Sequence, residues 1–110
     1  MEIKTKTVED ITVAEINGDI DAKTASQVTE TVSALVQPGS KILMDMTGVP
    51  YMSSAGLRSL LSLYRQTTAK EGKIVLVGLS EELTDTMSVT GFLDFFTTCE
   101  TLDAGLAELK

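Results

Sequence analysis

Histidine and tryptophan are absent from this chain, and cysteine occurs once, at Cys99. Without histidine there can be no Ser-His-Asp triad, and the G-x-S-x-G turn that presents such a serine is missing as well. The same lack leaves carboxylates as the main candidate metal ligands, and no Asp/Glu loop with calcium-binding spacing occurs. Neither a P-loop nor a G-x-G-x-x-G turn is present to cradle phosphates. A serine activated by a lysine base stays formally open, although no lysine neighbours the adjacent pair Ser53 and Ser54. These absences predict a chain that is not an enzyme and carries no cofactor or metal. A lone cysteine cannot close an internal disulfide, which fits a reducing cytoplasm. Cys99 reads as a half-buried small apolar residue rather than a reactive thiol.

Positive charge is also scarce. Nine Lys and Arg face 16 Asp and Glu, for a formal net charge of −7, and no basic run exists. Binding to nucleic acid or to an anionic membrane needs clustered cations, so both are excluded as expectations. No apolar run approaches the length of a membrane span. The opening "MEIKTKTVED" lacks the apolar centre of a secretory leader. What is present is a 43% hydrophobic content over 110 residues, enough for one core and one domain, residues 1–110. The expectation is an acidic cytoplasmic domain that is a monomer when alone.

The β-rich segments "EIKTKTV" and "ITVAEI" flank Glu9-Asp10 and predict an opening hairpin. Asp21 is placed to cap a helix from Ala22 to about Val36, where Ala25, Val28, Val32 and Leu35 recur at helical spacing. "QPGS" ends it. "KILMDMT" and "KIVLVG" are near-continuous apolar runs, as expected of strands covered on both faces. Between them, Ser54 to Lys70 carries a stripe of Leu57, Leu60, Leu61 and Tyr64, with Gly72 a plausible residue just past the helix end. Ser80 caps a helix to about Val89, with Glu81 and Glu82 in its first turn, and Gly91 closes it. "DFFTTC" is a short strand, and Thr101 starts a last helix. The order β, β, α, β, α, β, α, β, α predicts an α/β fold: a mixed, mostly parallel sheet of about five strands with four helices.

"VPYMSSAGLRSLL", Val49 to Leu61, sets two serines between a strand and a leucine-rich helix. Taken alone, Ser53 is an N-cap and Ser54 an ordinary first-turn residue. "ILMDMTGVPYM" also looks like the acceptor strand of a receiver domain, with Asp45 as acceptor. That family needs an acidic pair after its first strand and a lysine ending its last. Glu9-Asp10 supplies the pair only from within a hairpin, and no lysine occurs from Leu79 to Leu109. The plainer reading of Asp45 is a strand-edge carboxylate bonded to nearby loop amides.

Three segments together resemble the STAS domain family, named for sulphate transporters and anti-sigma factor antagonists. "DMTGVPYMSSAGL" is similar to the bacterial signature D-L-S-x-V-x-[FY]-[ML]-D-S-[ST]-G-L. "INGDIDAKTA" resembles the segment before the first helix, and "LSEELTDTMSVTGFLDFF" the third-helix segment. The matches fall in the family's order and cover nearly the whole chain. Ser53 stands where the family usually has Asp, and Ala55 where it has Ser or Thr.

The resemblance implies an anti-sigma factor antagonist in a partner-switching circuit. Such a domain binds an anti-sigma factor serine kinase when unphosphorylated. Phosphorylation of a serine breaks the complex, and a PP2C-type phosphatase restores it. By alignment the acceptor is Ser54, with Ser53 as second choice. Asp21, Ser53, Ser54, Gly56 and Arg58 are the expected partner-contact residues. Gly56 would let a partner backbone come close. Arg58 would hold a phosphate or a partner carboxylate, or lie on a solvated helix face. Asp21 serves either as a helix cap or in partner or nucleotide contact, and Asp19 is a solvated loop charge. The alternative is a STAS scaffold or small-ligand sensory module that does not switch.

Overall fold

The computed structural model describes all residues, 1–110. Strand β1, Glu2–Val8, turns through Glu9-Asp10 into β2, Ile11–Asn17. Glu9 adopts the left-handed conformation, φ 59°, that this two-residue turn demands. Then come α1, Ala25–Ser33; β3, Lys41–Gly48; α2, Ser54–Ala69; and β4, Lys73–Val77. After α3, Glu81–Val89, a 3-10 turn at Phe92–Phe95 leads to β5, Thr97–Cys99, and α4, Leu102–Leu109. The sheet order is β1-β2-β3-β4-β5, with β1 antiparallel to β2 and every other pair parallel. This is the expected mixed, mostly parallel architecture with five strands and four helices.

The alternation of side chains along each strand divides the core in two. Ala14, Ile16, Ile42, Met44, Ile74 and Leu76 point to one face, where they meet α1, α2 and α3 in an 18-residue cluster. Ile11, Val13, Leu43, Val75 and Val77 point to the other, where α4 alone lays Leu109, Leu106 and Leu102 over them. That double covering explains why β3 and β4 read as continuous apolar runs. Strand β1 is a sheet edge, and its Lys4 and Lys6 discourage pairing with another chain.

Several boundaries differ from expectation, each for a local reason. Helix α1 starts at Ala25 rather than Ala22, because Asp21 closes a separate turn over Lys23 and Thr24. It ends at Ser33 rather than near Val36. The left-handed residue after α2 is Glu71, φ 59°, and not Gly72. Gly72 is needed for space instead, since a Cβ there would sit 2.6 Å from the Ser40 carbonyl oxygen. Asp94 and Phe95 belong to the 3-10 turn, which leaves β5 only three residues long.

Leu60 is fully buried at the centre of the larger cluster. Leu60→Ala should cost about 3 kcal/mol, the usual range for such truncations being about 2–5. Urea unfolding checks this: the midpoint should fall with an unchanged slope.

Candidate functional site

At the carboxyl ends of β2 and β3, two loops are joined to each other. Ile20 and Met52 form an isolated parallel bridge. The Ile20 N–H donates to the Tyr51 carbonyl at 3.0 Å, and the Ser53 N–H donates to the Ile20 carbonyl at 2.9 Å. Gly18 N–H adds a third link, to the Gly48 carbonyl at 3.0 Å. Ile20 and Met52 are both buried beneath this seam. The loop after β2 therefore fixes where α2 begins.

Gly56 lies within that contact. A Cβ on it would run into the Ile20 carbonyl oxygen and would stand 3.0 Å from the Ile20 side chain. Gly56 is buried, so the close approach it permits is to the chain's own backbone. This corrects the expectation that its missing side chain faces a partner.

The two serines are not equivalent. Ser53 is extended, φ −84° and ψ 178°, and its Oγ accepts from the Gly56 N–H at 3.3 Å. It is the N-cap, half-buried, with its own N–H and carbonyl also committed. Ser54 is the first helical residue and is exposed, and its hydroxyl makes no hydrogen bond within the protein. Its backbone N–H is one of the amides that a helix start leaves unpaired. Arg58, also exposed, lies one turn further along the same face.

Asp21, the residue after Ile20, lies beside Ser53 across the seam. Its Oδ1 accepts from the Lys23 N–H at 2.9 Å and the Thr24 N–H at 3.2 Å. The Lys23 amide is the main cause that holds this carboxyl below the usual carboxylate range; partial desolvation opposes it, and Thr24 reinforces it. Asp19 is exposed, as expected, and its carbonyl accepts from the Thr24 hydroxyl at 2.7 Å. Asp45 accepts from the Thr47 N–H at 3.0 Å and the Thr47 hydroxyl at 2.6 Å; Thr47 lies within β3, so the carboxylate is bonded inside its own strand and not to the loop amides of the plainer reading. Cys99 is half-buried, and desolvation, with Glu108 adding to it, pushes its thiol up and keeps it protonated at neutral pH. No group of three or more Cys, Asp or Glu side chains is placed to hold a metal.

Two residues here escaped the sequence reading. Ile20 acts through its backbone, which no side-chain pattern announces. Tyr51 is 53% exposed beside the serines, although an aromatic before a helix start more often reads as core.

The sequence signature of the STAS domain matches residues 2–105. An anti-sigma-B factor antagonist of Listeria monocytogenes is 33% identical over 95 residues, covering 86% of this chain and 82% of its own. The fold recurs in an anti-sigma factor antagonist from Mycobacterium paratuberculosis, with TM-score 0.86 and 22% identity over 98% of this chain and 92% of that one. It recurs again in the Bacillus cell fate determinant SpoIIAA, solved in its phosphorylated form, with TM-score 0.74 and 16% identity over 99% and 100% of the two chains.

Two measurements test the seam. Gly56→Ala should destabilise the domain by about 2 kcal/mol or more, because the atom it meets is backbone, and should shift the amide signals of both Ile20 and Ser53. Asp21 should titrate below the ordinary carboxylate range when its carboxyl carbon is followed by NMR. A depressed folded-state pKa means that the stability it supplies is present above the unfolded value, about 3.9. It is lost as pH falls through the folded value. Asp21→Asn should therefore flatten the stability profile only on the acid side.

Proposed function

The chain belongs to the STAS domain family, and on that premise we propose that it is an anti-sigma factor antagonist switched by phosphorylation of Ser54. Unphosphorylated, it captures an anti-sigma factor serine kinase and so frees that kinase's sigma factor. Phosphorylated, it lets go, and a PP2C-type phosphatase resets it. The observation that carries this reading is the division of labour between the serines. Ser53 spends its hydroxyl on the helix cap, whereas the Ser54 hydroxyl is exposed and unengaged.

Physical chemistry supports a switch at this place. Phosphate on Ser54 adds about −1.5 to −2 charge. A helix start tolerates an anion, so the fold survives the modification. A partner surface laid over Ser54 would have to bury that charge, at a cost of several kcal/mol. A micromolar complex is worth only about 8 kcal/mol, so the complex is lost while the domain is kept. Arg58 is the cation best placed to hold the phosphate or a partner carboxylate. Asp21 and Ser53 border the same surface, and Gly56 shapes it from beneath. In this reading the domain acts in the cytoplasm as a monomer and as a substrate rather than a catalyst. No helix is long and apolar enough to cross a membrane.

Incubation with candidate kinases and ATP, followed by peptide mass mapping over Tyr51 to Arg58, tests the assignment. Ser54→Ala should retain kinase binding and lose phosphorylation. Ser54→Asp should weaken binding, less than phosphate does, because it carries one charge. Ser53→Ala should cost about 1 kcal/mol of stability and leave the switch intact. Phosphate on Ser53 would overturn the choice of acceptor. No phosphate on either serine, with a kinase active on another substrate of this type, would leave a non-switching scaffold.

A further inference from the structure

The chain has two arginines, Arg58 and Arg65, and both are on α2. They are seven residues apart, which on an α-helix is two turns and about 10 Å along one face. Ser54, Arg58, Leu61, Arg65 and Thr68 follow one another at spacings of four and three, so all five share the solvent-facing side. Four of them are exposed; Leu61, between the arginines, is half-buried and offers an apolar centre.

Neither arginine is paired. All four ion pairs of the protein are made by lysines: Lys4, Lys6, Lys41 and Lys110. No hydrogen bond within the chain engages either guanidinium, although 16 acidic residues are available. Two unpaired guanidinium groups thus line the exposed side of the acceptor helix on a molecule of net charge −7. Guanidinium is weakly hydrated and forks onto carboxylates, so it suits interface contacts better than lysine does. An acidic partner would be repelled by most of this surface and attracted along this line, which guides both where it docks and in which direction.

We propose that this stripe of α2 is a docking track for an acidic face of the anti-sigma kinase, with Arg65 a partner-contact residue two turns beyond Arg58. The matching partner surface carries two carboxylates about 10 Å apart, with an apolar side chain between them to meet Leu61. The proposal rests on the function proposed above. It adds that the interface extends from the acceptor serine at least three turns along the helix.

The test uses the intact chain and the host serine kinase that captures it. Association rates are measured against ionic strength for wild type, Arg65→Glu, Arg65→Gln and Lys4→Glu. Lys4 is exposed on the edge strand β1, and since its neighbour Ile3 packs toward the face that carries α2, Lys4 points to the other face; its reversal changes net charge by the same amount. Arg65→Glu should slow association about tenfold at low salt, with the difference shrinking as salt rises. Arg65→Gln should move the same way by less, and Lys4→Glu should stay within about twofold of wild type. Circular dichroism should show every variant folded. Equal slowing by Arg65→Glu and Lys4→Glu would overturn the track, since only net charge would then matter. So would an unchanged rate for both Arg65 variants while wild type is still captured and phosphorylated. Failure of every host serine kinase to bind wild type would instead overturn the function proposed above, and the track with it.

Discussion

The bridge between Ile20 and Met52 holds together the loops at the carboxyl ends of β2 and β3. Each of its two backbone hydrogen bonds joins a loop that follows one strand to a loop that follows the next. Loops of this kind are ordinarily the loosest parts of an α/β domain. Here they behave as a short extension of the sheet, laid across the start of α2. The absent side chain of Gly56 is part of the same arrangement, because the Ile20 carbonyl occupies its place. The exposed Ser54 is thus carried on a base whose backbone groups are bonded to each other across two loops.

The two faces of the sheet divide their duties unequally. Three helices cover one face and bury most of the apolar side chains there, while one short helix covers the other. The heavily covered face gives α2 a firm seat through Leu57, Leu60 and Leu63. Its opposite side is left to solvent and free to carry function. The polar residues of that side do little for stability, since exposed charges contribute little to folding. Their pattern is therefore open to selection by a partner.

Much of this was legible in the sequence. Periodicity located all five strands and four helices, because doubly covered strands and amphipathic helices leave opposite signatures. The adjacent serines marked a helix start. What escaped was carried by backbone or by competition between local bonds. Asp21 read as a helix cap, but Lys23 and Thr24 drew its carboxylate into a turn of their own. Gly72 read as the helix terminator, yet Glu71 took the left-handed position and Gly72 made room for Ser40. Gly56 read as an opening toward a partner, whereas the chain fills that opening itself. A glycine in a sequence announces that something comes close without saying what.

The spatial order of the strands is their order along the chain. Each strand emerging from a ribosome therefore finds its neighbour already made, and no strand waits for a partner synthesised later. The sheet can grow from one edge in step with synthesis, closing a short loop each time. The exception is the face covered by α4. Leu43, Val75 and Val77 must remain open to water until α4 is made and Leu109 settles on them. A molecule halted before α4 would therefore still expose an apolar sheet face to the cell's quality control, however complete its other face.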